Sequence, residues 1–368
     1  MRLRAFGRLV PVPTTPRAAM LAALAFVAPG QPLREGLDRI RQSGKGALIV
    51  IGDGPDVLDI CSGGFLLDAG FSPQRLHEVA KMDGAIILAA DGSRIARANV
   101  HLVPDPTIAT VETGTRHRTA ERVARSLGVP VISVSESRDA ITVYVADEQR
   151  PLVPTAPLLV RANQGLQTLE QYRNRLTATT AALSALEVED LVTQRDVLHV
   201  LQRAETVRRI AEEIEAVIVE LGADGRLVHL QLEELMGGIQ DDRELVVRDY
   251  TSSEVTWSVE QALSTLGRLD TDELLDLRLV ARAVRLAGLP FEADASMQPR
   301  GYRLLSRVPR LGEELSDAIV AHLGNLQKIL RVTPSELAEV TGMSETRARA
   351  VKENLSRLAE SSILDRYT

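Results

Sequence analysis

The hydrophobic pattern of the sequence changes near residues 151–154, from alternating strand-like and helical stretches to helical stretches alone. This change constrains the fold more than any other feature. Before it, short apolar runs alternate with stretches of helical spacing. The runs occupy residues 47–51, 85–88, 129–134 and 141–145. Short runs rich in aliphatic and β-branched residues are typical of buried strands. Residues 73–81 and 119–127 lie between these runs and carry helical spacing, so we predict an α/β domain over residues 1–150, with a mixed sheet flanked by helices.

After this point the chain is helical by every local sign. Leu169, Leu176 and Leu183 repeat at intervals of seven on one face, and the pattern continues to about residue 235. Helical spacing returns over residues 258–287. No chemistry-bearing cluster interrupts these stretches, so we predict an all-α spine over residues 151–300 that separates two functional parts.

The last part of the chain, residues 301–368, contains two units of helix, glycine-bearing turn and helix. These units resemble tandem helix-hairpin-helix elements, in which backbone N–H groups and a helix N-terminus face a DNA phosphate. The resemblance implies an all-α DNA-binding domain with these contact residues: Arg310, Gly312, Gly342, Ser344 and Arg347. The second turn reads Gly342-Met343-Ser344 where the motif commonly has Gly-Ile-Gly, and serine tolerates positive φ less well than glycine.

Composition limits the classes of function. The chain has 43 Lys and Arg against 50 Asp and Glu, so its net charge of −7 provides no global attraction to nucleic acid. Any DNA contact must therefore be local, and the 3% aromatic content favours backbone contact over base stacking. The single Cys61 excludes an intrachain disulfide and a cysteine-based zinc cage.

The first residues resemble an export signal. Arg2, Arg4 and Arg8 precede an apolar stretch over residues 18–28. Prolines interrupt the approach, the stretch is too short to span a bilayer, and it leads into a helix start at Leu33. We therefore predict a helix of a cytoplasmic protein rather than a signal peptide or a membrane anchor, and we expect residues 1–24 to be flexible.

Two segments carry the residue types needed for nucleotide chemistry. Asp83-Gly84-Ala85 places a carboxylate beside a glycine where an apolar run begins. Residues 113–119 place two guanidiniums, an imidazole and three hydroxyls next to Gly114, just before a predicted helix. Carboxylates hold divalent metals, and the basic groups hold phosphates. Taken singly, an Asp-Gly pair is typical of a turn and a basic segment is typical of a solvated face.

Taken together, Asp83-Gly84-Ala85 and Arg116-His117-Arg118 resemble the signature of the diadenylate cyclase domain. The resemblance also covers Gly63-Gly64-Phe65 and residues 78–86, 98–105 and 133–136. With the helical spine and the hairpin tail, the chain from about Ala25 is similar to the bacterial DNA integrity scanning family.

The resemblance implies a reaction in which two ATP give cyclic di-AMP and two pyrophosphates between facing protomers of a homo-octamer. It implies Mg²⁺ or Mn²⁺ at Asp83, with Glu136 as a weaker candidate for a second carboxylate. The implied catalytic residues are Asp83, Arg116, His117 and Arg118. The implied ATP and cyclic di-AMP contacts are Gly84, Ala85, Leu102, Gly114, Thr115, Thr119 and Ser135.

The family resemblance also implies a role at the tail. Branched, Holliday-junction-like DNA would bind there and modulate the cyclase in response to DNA damage, which places the protein at the nucleoid. The alternative is a DNA-junction sensor that binds ATP or cyclic di-AMP without turnover. The metal carboxylate Asp83 argues against that alternative, because a site without turnover does not need it.

Overall fold

The computed structural model describes residues 2–5, 8–11, 15–251, 258–286 and 290–367. It contains two compact units, one of Met1–Gln164 with Glu213–Leu230 and one of Gly165–Glu212 with Gln231–Thr368. The side chains of Arg2, Arg4 and Arg8 and the end of the helical pattern at residue 287 lie outside the described residues. The boundaries expected near residues 150 and 300 stay predictions.

The first unit is built on a mixed sheet. Its strands and that of an amino-terminal hairpin are β1 Arg2–Ala5, β2 Arg8–Pro11, β3 Ala47–Ile51, β4 Cys61–Ser62, β5 Phe65–Gly70, β6 Ala85–Leu88, β7 Arg94–Leu102, β8 Val131–Ser135, β9 Ala140–Val145 and β10 Glu148–Pro151. The sheet order is β10-β9-β8-β3-β6-β7-β4, and β5 also pairs with β7. Strands β3 and β6 are parallel and the other described pairs are antiparallel, which confirms the predicted mixed sheet.

Helices cover both faces of this sheet. They are α1 Pro16–Phe26, α2 Pro32–Gln42, α3 Pro55–Asp59, α4 Pro73–Val79 and α5 Thr115–Leu127. Strand β3 is buried on both faces: Ile49 joins the core under α1, α2 and α4, whereas Val50 joins the core under α5. The apolar stretch of residues 18–28 lies largely in α1, where Met20 and Leu24 belong to the first of these cores. Of the described helices, none combines the length and apolar composition that a bilayer crossing requires.

The second unit and the connections to it are helical. The helices are α6 Thr155–Glu189, α7 Gln194–Leu221, α8 Arg226–Met236, α9 Ile239–Tyr250, α10 Val259–Arg268, α11 Thr271–Leu275, α12 Leu277–Ala283, α13 Tyr302–Ser306, α14 Glu313–Leu323, α15 Leu326–Arg331, α16 Pro334–Leu337 and α17 Glu345–Tyr367. A short 3₁₀ turn, Gly222–Gly225, joins α7 to α8. The helical spine and the helical tail predicted from the sequence are confirmed.

A buried charged network joins the tail to the helical middle inside the second unit. Asp249, at the end of α9, accepts the backbone N–H groups of Gly301, Tyr302 and Arg303 at 2.7–2.9 Å and so caps the start of α13. The Arg303 guanidinium pairs with the Glu187 carboxylate of α6, and both side chains are only 4% exposed. Burial and the Glu187 charge raise the pKa of Asp249 to about 7, against the N–H donors that favour its ionised form.

We expect Arg303→Met to destabilise the second unit by about 3–5 kcal/mol, because the Glu187 carboxylate would stay buried without its counter-charge. Urea unfolding of the full chain would show a lower midpoint for this unit. Arg307→Met is the matched control, because Arg307 is exposed at the end of the same helix. An Arg303 variant as stable as that control would contradict the role given to the network.

Candidate functional site

The predicted site residues come together at one edge of the sheet, where four neighbouring strands begin or end. The register places Ala47 of β3 opposite Val134 of β8, and Ala85 of β6 beside Leu48 of β3 and Val100 of β7. Strands β3 and β6 start at this edge, and β7 and β8 finish there. Segments that are far apart in the sequence therefore lie next to one another at this edge of the sheet.

Gly84 fits this edge because it has no side chain. Its φ is +94°, and a Cβ at this position would lie 2.8 Å from the carbonyl carbon of Asn99 and 2.9 Å from the carbonyl oxygen of Val100. The sequence analysis places Gly84 among the ATP contacts, and that contact stays a prediction. The close approach that the structure shows is that of strand β7, which fixes the turn carrying Asp83.

Asp83 and Arg116 meet at this edge. The Asp83 side chain is fully exposed, and its Oδ1 lies 3.9 Å from Nη2 of Arg116. The guanidinium of Arg116 also occupies the space beside Gly46, where an added Cβ would lie 3.0 Å from Cζ. Gly46 was missed in the sequence analysis, since a glycine before a strand carries no signal of a partner in a distant helix.

The basic segment is not before a helix, as the sequence predicted, but inside its first turn. Helix α5 begins at Thr115 with Gly114 as its N-cap, and the Arg118 N–H bonds the Gly114 carbonyl at 2.8 Å. The predicted start at residue 119 was wrong because the apolar spacing that located the helix begins only at Ala120, whereas the first turn of the helix is polar. The positive end of the helix dipole thus reinforces the charges of Arg116 and Arg118.

His117 differs from its arginine neighbours because it is buried. Only 8% of the residue is exposed, and its Nδ1 lies 2.8 Å from the hydroxyl of Tyr144, which in turn donates to Glu112 at 2.9 Å. The pKa of His117 is lowered overall: burial is the main cause, Glu112 opposes it, and Arg138 and Arg116 lower the pKa further. Neither Tyr144 nor Glu112 was singled out by sequence, because their link to His117 spans distant segments.

The hydroxyl-bearing candidates are arranged in two ways. Thr115 is exposed at the first position of α5, whereas the Thr119 hydroxyl donates to the Thr115 carbonyl at 3.0 Å. The Ser135 hydroxyl, at the end of β8, accepts from the Arg138 N–H at 3.2 Å. The Arg138 guanidinium bonds the Thr113 hydroxyl at 3.3 Å, which adds a cation that the sequence analysis did not identify.

Two predicted nucleotide contacts point into the core instead of outward. The side chains of Ala85 and Leu102 are 1% and 6% exposed and belong to the core under α5. Contact with a ligand by these two residues would therefore involve mainly their backbone. Their role at the site stays a prediction.

The acidic groups at this edge are few. Glu136 is exposed just after β8. Within the described part of the chain, no three histidine, cysteine, aspartate or glutamate side chains are grouped as a metal site. A metal here would need oxygen ligands from a bound substrate in addition to Asp83.

Comparison with known proteins gives the family. Residues 34–149 match the model described as the DisA bacterial checkpoint controller nucleotide-binding region, and residues 152–289 match that of the DisA linker region. The DNA integrity scanning protein DisA of Frankia alni is 55% identical over 347 residues, covering 94% of this chain and 97% of the relative. The protein of the same name from Streptomyces coelicolor is 52% identical over 351 residues, covering 95% and 94%. The chain belongs to the DisA family.

Membership of the DisA family confirms the resemblance inferred from the sequence, and with it the enzyme class, a diadenylate cyclase. The region matched as nucleotide-binding contains the whole edge described above, from Gly46 to Arg138. The individual site residues stay predictions, which the geometry at this edge makes specific.

The DNA-binding candidates of this DisA chain lie at two turns of the tail. Gly312 is the N-cap of α14, and Ser344 precedes α17 and accepts the Arg347 N–H at 3.4 Å. The Arg347 guanidinium donates to the Arg310 carbonyl at 2.8 Å, so the two turns touch. Gly342 has φ +84°, as expected for its turn. Arg310 has φ +63° in the first turn, a left-handed conformation that glycine adopts more readily.

We expect Gly84→Ala to destabilise the first unit by about 3 kcal/mol, since it adds a clash with β7 to the strain of a positive φ. Gly44→Ala is the matched control: Gly44 has φ +66° but no atom within 4 Å of an added Cβ, so about 1 kcal/mol is expected. Thermal unfolding of both variants measures the difference. Equal losses would refute the packing role of Gly84.

Proposed function

We propose that this chain condenses two ATP into cyclic di-AMP and two pyrophosphates at a site completed by a second copy, and that DNA bound at its tail modulates the rate. The observation that carries the proposal is the meeting of Asp83 and Arg116 at one exposed edge, 3.9 Å apart. A metal-binding carboxylate and a phosphate-binding cation therefore face the same space, beside the N-terminus of α5.

The first turn of α5 offers several groups that bind the phosphates of ATP. The N-terminus of the helix, the Thr115 hydroxyl and the guanidiniums of Arg116 and Arg118 all favour negative charge. Because Gly46 has no side chain, the Arg116 guanidinium can lie directly against the start of β3. This contact limits the positions from which the guanidinium can bind a phosphate oxygen. These groups would hold the α-phosphate of one ATP and stabilise the pyrophosphate as it leaves.

Each bond-forming step joins two nucleotides. The 3′-hydroxyl oxygen of one ATP attacks the α-phosphorus of the other, the bond to pyrophosphate breaks, and the hydroxyl proton is released. In a second step of the same kind, the 3′-hydroxyl of the other nucleotide attacks the remaining α-phosphorus, which releases the second pyrophosphate and closes the ring. Most of the rate gain comes from orientation and charge stabilisation, and no residue of the chain needs to form a covalent bond.

Asp83 suits a divalent cation, because its carboxylate is fully exposed and its only described partner is a distant guanidinium. Mg²⁺ or Mn²⁺ binds through one or two carboxylates together with substrate phosphates, which matches a single exposed aspartate. When bound, such a cation neutralises phosphate charge and polarises the attacking hydroxyl. Glu136 is the second carboxylate proposed for this edge.

A second copy is proposed because one edge supplies the groups for one ATP only. The surface near Asp83 supports this, since it exposes the apolar side chains of Phe65, Leu66, Met82 and Val103 to between 37% and 72%. Exposed apolar groups beside a polar site are typical of an interface between protein subunits. We propose face-to-face pairing of these edges within a homo-octamer.

The tail is proposed to bind branched DNA through its phosphate backbone. Arg310 and Arg347 lie together where the two turns touch, and α14 and α17 begin next to them. Helix N-termini and arginines at adjacent turns fit the phosphates of a DNA backbone. We propose that junction DNA bound here lowers the cyclase rate.

We expect Asp83→Asn to reduce cyclic di-AMP formation by about 100-fold or more, and the combined change of Arg116, His117 and Arg118 to Ala to abolish it. The measurement is product formation from ATP with Mg²⁺ or Mn²⁺, followed by chromatography. Glu78→Gln is the control, because Glu78 is an exposed acid whose carboxylate pairs with Lys81 at 2.7 Å. Binding of ATP or cyclic di-AMP by the wild type without turnover would instead favour a junction sensor.

We expect Arg310→Gly to weaken junction binding by about tenfold and to reduce the salt slope by about one. Glycine keeps the left-handed turn and the carbonyl that Arg347 bonds, so the loss would come from the charge. Arg357→Ala removes one positive charge from α17, outside both turns, and serves as the control. Equal binding by Arg310→Gly and wild type in a salt titration would exclude Arg310 from the DNA contact.

A further inference from the structure

His117 is held by a chain of two hydrogen bonds that reaches from α5 to strand β9 and the segment before α5. Its Nδ1 lies 2.8 Å from the Tyr144 hydroxyl, and this hydroxyl lies 2.9 Å from Oε1 of Glu112. Tyr144 is 1% exposed, so the linking hydroxyl is out of contact with water. The residues before and after His117 are exposed or half-buried, which makes its fixed position exceptional in the turn.

The direction of both hydrogen bonds follows from the groups involved. The Glu112 carboxylate has no proton to donate, so the Tyr144 hydroxyl donates to it. Because that hydroxyl has a single proton, its oxygen accepts from the His117 Nδ1–H. The Nδ1–H tautomer of His117 is therefore fixed, and Nε2 is the ring nitrogen left for a ligand.

The other members of the chain are themselves held in place. Tyr144 belongs to the core under α5. The segment before α5 is tied to that helix by Arg122, which bonds the Ile108 carbonyl at 3.0 Å, and by Glu121, which accepts the Val111 N–H at 3.1 Å. Glu112 follows directly, so its carboxylate is presented to Tyr144 by a segment fastened to the helix that carries His117.

We propose that Tyr144 and Glu112 are positioning residues of the nucleotide site, which hold His117 so that Nε2 is directed to a phosphate oxygen and support the positive charge of the ring when it donates. This inference rests on the proposed function of His117. Neither residue touches the substrate in this scheme, and both act through the histidine.

The charges around His117 explain why such support is needed. Arg116 on the same helix and Arg138 after β8 both lower the pKa of His117, as does burial, and Glu112 is the group that raises it. Because the Nδ1–H is already bonded to Tyr144, Nε2 can donate to a phosphate only when the ring carries a second proton. The Glu112 charge, relayed through the Tyr144 hydroxyl, opposes the two arginines and the loss of water.

The test is Tyr144→Phe in the full chain, which removes the hydroxyl and keeps the ring in its core. We expect cyclic di-AMP formation to fall about tenfold and the thermal midpoint to fall by only a few degrees, since the variant loses two hydrogen bonds but keeps its packing. Tyr172→Phe on α6 is the matched control. In a His117→Gln background, Tyr144→Phe should cause no further loss, because the two residues act as one unit. A full additional loss in that background would overturn the proposal.

A second readout separates positioning from mere packing. Glu112→Gln removes the charge that raises the pKa of His117, so the alkaline limb of the pH–rate profile should move to lower pH. An unmoved limb, or Tyr144→Phe with wild-type turnover, would overturn the relay while leaving the proposed reaction intact. If the wild type forms no product, the proposed function fails, and ATP affinity then tests the relay: equal affinity of Tyr144→Phe and wild type would overturn it.

Discussion

The constraint on which the candidate site depends is close packing at one edge of the sheet, where the neighbours of Gly46 and Gly84 leave no room for a side chain at either position. Gly84 lies against strand β7, and Gly46 lies against the guanidinium of Arg116. These two contacts bring Asp83 and the first turn of α5 within ion-pair distance of each other. The positions of the exposed polar groups that would meet a nucleotide therefore depend on these two glycines as well as on the polar residues themselves.

A different kind of constraint organises the second unit, where buried charges replace crowded backbone. Asp249, Arg303 and Glu187 come from the helical middle and from the tail, and each is satisfied only when the other parts are in place. Burying such groups is unfavourable unless their partners are aligned, so the arrangement tolerates little change in the angle between α9 and α13. The tail is therefore held against the helical middle in one defined orientation by these buried contacts.

Local sequence signals predicted part of this molecule well. The strands at residues 47–51 and 85–88 have the predicted bounds, because each is a short aliphatic run with clear ends. Strand β7 was not predicted because Arg94, Arg97 and Asn99 interrupt its apolar residues. Its pairing with three other strands depends on contacts between distant segments, which a local pattern does not encode. The family resemblance pointed to Asp83 and Arg116, but the crowding by Gly46 and the Tyr144 hydrogen bond depend on distant segments that no local pattern encodes.

Strand β5 has a consequence for how the protein is made. It pairs with β7 on one side, and Phe65, Leu66 and Leu67 remain 38–72% exposed. An exposed apolar strand at a sheet edge is a template for pairing with unrelated chains. A chain whose β5 edge stays uncovered is therefore open to pairing with other exposed strands, and its loss by aggregation would rise with protein concentration. The lifetime of such a chain in a cell would then depend on how long this edge stays uncovered as well as on its folding free energy.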